Sequence, residues 1–134
     1  MNLKHLGFSL IELLFALIIL SICLSFAIPN YRHMLVKTRR LEAKTSLLEL
    51  ANQLESYYSA NLSYKDFKFD KKLKWYELKI SQLDDSSFNL EAVPKGSQAL
   101  DDKTCQTFSL NSFADKNIIS GPSGAPEGRI SDCW

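Results

Sequence analysis

Hydrophobic positions are gathered near the start of the chain: the 21 residues from Phe8 to Ile28 hold a single charged side chain, Glu12. As a helix this run reaches about 31 Å, enough to cross the hydrocarbon core of a bilayer. Pro29 and Asn30 close it, and a bend or loosening is expected there because proline removes an internal hydrogen bond. Met34, Leu41, Leu47, Leu48, Ala51, Leu54, Tyr57 and Tyr58 then recur at mostly three- and four-residue steps, with Arg39, Arg40, Glu42, Lys44, Glu49 and Glu55 between them. This predicts an amphipathic helix to about Ala60 whose apolar stripe packs on a sheet, with Asn61 as a stop signal. Lys65 to Lys74 shows no period and reads as a connecting loop. Partial alternation follows in Trp75–Ile80 and Phe88–Val93. Thr107–Phe113 is rich in aromatic and β-branched residues, and Asn117–Ser120 reads as a short fourth strand. Asp84–Ser87, Pro94–Ser97 and Asp115–Lys116 are the turns between them. The class is therefore α+β: one long helix, half spanning and half amphipathic, on an antiparallel sheet of about four strands.

A chain of 134 residues has room for one compact domain plus an extra element. Its net charge of +1 gives no whole-chain field toward nucleic acid or anionic surfaces. A cleaved secretory signal is a competing reading of the start. It needs an apolar region of ~7–15 residues before a small-x-small site, and here Ser25, Phe26 and Ala27 follow a longer run. Of the three cysteines, Cys23 lies in the apolar run, whereas Cys105 and Cys133 lie in the polar C-terminal third and are natural partners. Closing their loop would remove roughly 3.5 kcal/mol of unfolded-state entropy in an oxidising compartment. Gly121 to Pro126 between them reads as an exposed loop.

An acidic residue in a spanning helix costs about 2.5–3.5 kcal/mol and usually marks function, although Glu12 could also snorkel to the headgroups. Its setting, Gly7-Phe8-Ser9-Leu10-Ile11-Glu12-Leu13-Leu14, resembles the prepilin signature of type IV pilins. In that signature a leader ends in glycine, phenylalanine follows, and glutamate is the fifth residue of the mature chain. The resemblance implies cleavage between Gly7 and Phe8 by a prepilin peptidase, N-methylation of Phe8, and pairing of Glu12 with the terminal ammonium of a neighbouring subunit. It divides the chain into a leader (1–7), an assembly helix (8–28), an amphipathic helical half (29–60) and a head (61–134). The implied partners are other pilin subunits, the peptidase/N-methyltransferase, the inner-membrane assembly platform, and membrane lipid before assembly. The implied location is the inner membrane as a single-pass protein with a periplasmic head, then the extracellular pilus. Positive-inside counting disagrees, because Arg32, Lys37, Arg39, Arg40 and Lys44 follow the span while Lys4 and the start amine precede it. The cysteine pair and the prepilin resemblance both place the head outside.

The block Arg39-Arg40-Leu41-Glu42-Ala43-Lys44, with Leu47 to Ala51, Glu55, Tyr57-Tyr58 and Asn61 to Tyr64, resembles the PilE-like minor pilin subgroup, as does the Cys133-Trp134 ending. This implies a pilin fold with a disulfide-bounded tail and a role in building or priming a pilus for motility, adhesion or DNA uptake. No chemistry of its own is expected, and no cofactor or metal. There are two histidines, no readable nucleophile–base pair, no glycine-rich phosphate loop and no close-spaced ligand set. The alternatives are a type II secretion pseudopilin, against which the cysteine pair argues, a single-span anchored protein with no filament role, and a pilus-borne module that binds DNA or a host receptor. For the last, Lys68, Lys71, Lys72, Lys74 and Lys79 are interleaved with Phe67, Phe69, Trp75 and Tyr76, the composition that DNA backbone contact and base stacking need, with Lys71, Lys72 and Lys74 at its centre. The same lysines also fit a solvated edge. Tyr57, Tyr58 and Tyr64 read as packing with sugar binding as the alternative, and Asp84-Asp85 and Asp101-Asp102 as turns with calcium as the alternative.

Overall fold

The computed structural model describes residues 7–134; residues 1–6, with Lys4 and His5 and most of the expected leader, lie outside the described residues. One helix, α1 (Leu10–Asn61), is followed by β1 (Tyr76–Leu83), β2 (Phe88–Pro94), a short α2 (Ser97–Asp101), β3 (Thr107–Asn111), β4 (Lys116–Ile119) and α3 (Ile130–Cys133). The chain forms two compact units that meet between Leu35 and Val36.

In the first unit the apolar side chains of α1 are exposed and its hydroxyls are satisfied locally. Ser21 Oγ donates to the Ile18 carbonyl at 2.7 Å and Ser25 Oγ to that of Ile22 at 2.6 Å, so neither is left bare on an apolar surface. Glu12 falls in the first turn, where the helix dipole favours negative charge. Pro29 lies inside α1 and withholds the N–H that would meet the Ser25 carbonyl.

The second unit is the head. Its four strands form an antiparallel sheet in the order β1-β2-β3-β4. Phe88, Leu90, Ala92 and Pro94 alternate inward along β2, while β1 keeps Tyr76 and Leu78 inside and shifts register between Ile80 and Gln82. Against this face α1 presents Ala43, Leu47, Leu50 and Leu54, all buried. The stripe expected from the sequence is partly corrected: Leu41 and Leu48 point outward. Leu47 and Leu48 are consecutive apolar residues, and only the sheet decides which of them is inside. The helix ends where Leu62 adopts φ 55° and its N–H reaches the Tyr58 carbonyl at 2.7 Å, a left-handed cap without glycine.

The loop after α1 has no regular element but is well packed. Tyr58 stacks on Tyr64 at 4.6 Å, Tyr64 meets Phe88 edge-on at 5.0 Å, and Tyr57 meets Phe67 at 5.5 Å. These tyrosines are packing residues. Tyr64 also donates to Glu55 Oε1 at 2.8 Å, and burial, then that carboxylate, push its pKa up to about 12. A folded value above the unfolded one of about 10 stabilises the fold below pH 10, and that contribution is lost as pH rises through 12. Burial and nearby Asp102 push Tyr76 upward as well. The melting temperature of the detergent-solubilised chain is therefore expected to be level up to about pH 10 and to fall above it, less steeply in Tyr64→Phe. A fall of equal slope in both proteins would refute the assignment.

Cys105 and Cys133 form a disulfide closing 28 residues, with Cα atoms 5.7 Å apart. Two elements were not anticipated: α2 begins at Ser97, where a turn was expected, and α3 carries Cys133. Gly121 lies so close to Gln106 that a Cβ there would sit 2.5 Å from its Oε1, which explains a glycine at the foot of this loop.

Candidate functional site

Two features of the head carry its candidate chemistry. The first is buried. The Asp102 carboxylate, with no exposed side-chain surface, receives Arg40 through Nε and Nη2 at 2.7 Å each. It also accepts the Cys105 backbone N–H at 3.1 Å, Gln98 Nε2 at 3.1 Å and the Tyr76 hydroxyl at 3.5 Å. This joins α1, β1, α2 and the disulfide in one network. It also consumes both oxygens of the carboxylate weighed above as a calcium ligand, and the described residues contain no His/Cys/Asp/Glu group able to hold a metal.

The second feature is the basic margin of β1. Lys71, Lys72 and Lys95 line a cleft of about 220 Å³ with Phe69, Tyr76 and Leu78. Lys95 was missed in the sequence because it lies in the β2–α2 connection and joins this group through the Tyr76↔Pro94 register. The lysines differ in their surroundings. Lys71 is paired with Glu49, Lys72 faces Asp70 at 4.0 Å and Lys79 faces Glu77 at 3.3 Å. Lys74 instead lies 4.8 Å over the Trp75 ring, with the Arg39 guanidinium at 3.7 Å from the same ring. Lys71 and Lys72 thus share the cleft, and Lys74 belongs to the neighbouring indole cluster. Exposed ion pairs are worth about 0–1 kcal/mol, so Lys71 and Lys72 can exchange a carboxylate for a phosphate at little cost.

At the start of the described chain, Gly7 and Phe8 precede α1, and the Phe8 ring is 84% exposed. Residues 2–28 match the prokaryotic N-terminal methylation motif. The fold resembles the Neisseria meningitidis non-core minor pilin PilV, with a TM-score of 0.58 at 24% identity over 71% of this chain and 97% of that one. A type IV pilin from Shewanella oneidensis gives a TM-score of 0.53 at 26% identity, covering 74% of this chain and 97% of that one. A long N-terminal helix on a four-stranded antiparallel sheet, a disulfide-closed tail and the methylation motif together define the type IV pilin class. Residues 29–109 match the model for the type IV minor pilin ComP, DNA uptake sequence receptor, and the chain belongs to that family. The major pilin PilA of Myxococcus xanthus is 36% identical over 66 residues, which are 49% of this chain and 30% of that protein; the match spans less than a third of that relative's length.

Proposed function

We propose that this chain is a minor subunit of a type IV pilus whose head takes hold of DNA at the pilus surface. The observation that carries the reading is the match of residues 29–109 to a DNA uptake sequence receptor family, a span that includes Lys71, Lys72, Lys74 and Lys95. The cleft and the neighbouring indole cluster supply cations for backbone phosphates, and the half-buried Phe69 in the cleft wall adds apolar surface. At the other end of the chain, cleavage between Gly7 and Phe8 leaves a cationic, methylated amine. Glu12 pairs with such an amine on a neighbouring subunit, because an unpaired carboxylate in hydrocarbon is costly, and Pro29 gives the helix a place to adjust.

The test separates binding from assembly. With Lys71→Ala, Lys72→Ala and Lys74→Ala together, pili persist, and DNA binding by the purified chain loses about one unit of log–log salt slope per phosphate contact removed. In Glu12→Ala the chain inserts and is processed but is scarce in sheared pili. Unchanged DNA affinity and salt slope in the triple variant would remove this surface from DNA contact, and a piliation defect there would recast it as an assembly surface.

A further inference from the structure

We propose that the outer face of the sheet, at the end where β1, β2 and β3 meet the β1–β2 and β3–β4 turns, is a binding site for a neutral carbohydrate ring. The site lies wholly within the head and shares no residue with the lysine cleft or the indole cluster, so it is independent of DNA binding.

Its floor is a row of carboxamides. Strand register places Gln82 opposite Asn89 and Asn89 opposite Asn111. Phe88 and Leu90, on either side of Asn89, point into the core, so the three amides stand together on the other face. Each is held in place. Asn89 Nδ2 donates to Ser81 Oγ at 2.7 Å, and its Oδ1 accepts Ser109 Oγ at 3.0 Å. Gln82 Nε2 donates to Asp84 Oδ2 at 2.6 Å, and that oxygen also accepts Ser87 Oγ at 3.2 Å. A carboxamide has two donor hydrogens and two acceptor lone pairs, so Gln82 and Asn89 are fixed by these bonds and keep capacity for a ligand. Asn111 Oδ1 accepts the N–H groups of Phe113 at 3.0 Å and Asp115 at 2.9 Å, and its Nδ2 donates to Asp115 Oδ2 at 3.0 Å. These bonds lock the β3–β4 turn, which holds the Phe113 ring 80% exposed beside the row. The same turn keeps Ala114 at φ 61°, a left-handed conformation that costs about 1–2 kcal/mol without glycine. Strain retained in a rigid turn that presents a bare ring is the pattern of a functional site.

The amide row and Phe113 border a cleft of about 240 Å³, below the ~300–1,000 Å³ of sites for drug-sized ligands. A single pyranose fits this chemistry on two counts: its hydroxyls exchange hydrogen bonds with the fixed amides, and its C–H face lies on the aromatic ring. Among the described residues no lysine or arginine lines the cleft, and the carboxylates of Asp84 and Asp115 stand behind its amides, so a phosphate is disfavoured there. An apolar side chain of a protein partner would cover the amides' remaining donors without satisfying them, at about 1–3 kcal/mol each. The tyrosines weighed for sugar binding in the sequence take no part, since Tyr57, Tyr58 and Tyr64 each pack on a neighbouring ring.

The test uses the full chain, fluorescently labelled and solubilised in a phosphocholine detergent, because maltoside and glucoside detergents are themselves sugars. It is laid on an array of neutral and anionic oligosaccharides. Retention on a subset of the neutral ones is expected, unchanged between about 0.1 M and about 0.5 M salt because no ion pair contributes. Phe113→Ala is expected to weaken it about tenfold and Gln82→Ala about fivefold. Both side chains are exposed, so neither change disturbs the core. NMR titration of the unaltered chain with the best-retained sugar is expected to shift the side-chain amide signals of Gln82, Asn89 and Asn111 together with the Phe113 ring. Failure of every neutral oligosaccharide to be retained overturns the proposal. So does full retention by Phe113→Ala, or a set of shifts that leaves the amide row unmoved. Retention confined to sialylated or sulfated glycans and abolished by salt would assign the binding to the lysines of the β1 margin, and overturns it too. Each of these failures leaves the DNA reading standing, since the lysine variants test that separately.

Discussion

Replacing Asp102 by alanine is expected to cost the head about 3–5 kcal/mol, because it leaves the Arg40 guanidinium half-enclosed without its counter-charge. Arg40 has 14% of its side chain exposed and Asp102 none, so water cannot fully replace the lost partner. The Cys105 backbone N–H and the Tyr76 hydroxyl lose their acceptor as well, and Gln98 Nε2 loses one of two, keeping the Tyr76 oxygen at 3.0 Å. Each buried donor left unsatisfied costs about 1–3 kcal/mol, which keeps the loss large even if Arg40 swings toward solvent. Urea melts of the detergent-solubilised chain, followed by tryptophan fluorescence, measure it. Arg40→Met with Asp102→Leu removes both charges together and should recover part of the loss. A single-variant midpoint equal to that of the wild type would show that the pair is not a structural link.

Removing the disulfide is the second large effect. Cys105→Ser with Cys133→Ser frees a loop of 28 residues, and the loop-closure relation puts that near 3.5 kcal/mol within a usual range of about 2–5. The tail has other attachments: Lys44 Nζ donates to the Cys133 carbonyl at 2.8 Å, and Trp134 Nε1 to the Asn117 carbonyl at 2.9 Å. Phe108 also meets the Trp134 ring edge-on at 5.5 Å. The bond therefore holds a segment that already has a seat, and its loss should loosen α3 first, with faster amide exchange there than in β2. Because Asp102 Oδ1 accepts the N–H of Cys105, the carboxylate and disulfide losses are expected not to add. Uniform exchange through the head in the cysteine variant would contradict the local picture.

Local patterns were legible to different degrees, for identifiable reasons. The apolar run, the helix end near Asn61 and the alternation of β2 could be read because each is a period within one element. The choice of Leu47 and Leu50 over Leu41 and Leu48 for the core could not, since both sets satisfy a helical period and only the opposing sheet selects one. For the candidate site, Lys71, Lys72 and Lys74 stood out as a charge run. Their division between a carboxylate-paired cleft and an unpaired cluster on Trp75 depends on Glu49, Asp70 and Arg39, which chain order does not associate with them. Asp101-Asp102 read as an acidic doublet at a turn, and nothing near it in sequence announced Arg40, 62 residues away.

By itself the amino-acid sequence determined the membrane-length helix, its single acidic residue beside a Gly7-Phe8 junction, the α+β class and the pair of cysteines available to close the tail. Each is a property of composition or of spacing within one segment, where the backbone period alone assigns the side chains. Only the tertiary structure decided which lysines keep a free charge, where Lys95 belongs and what Asp102 holds. Those outcomes depend on the strand register and on the face α1 turns to the sheet, and both are set by the shared burial of residues far apart in the chain.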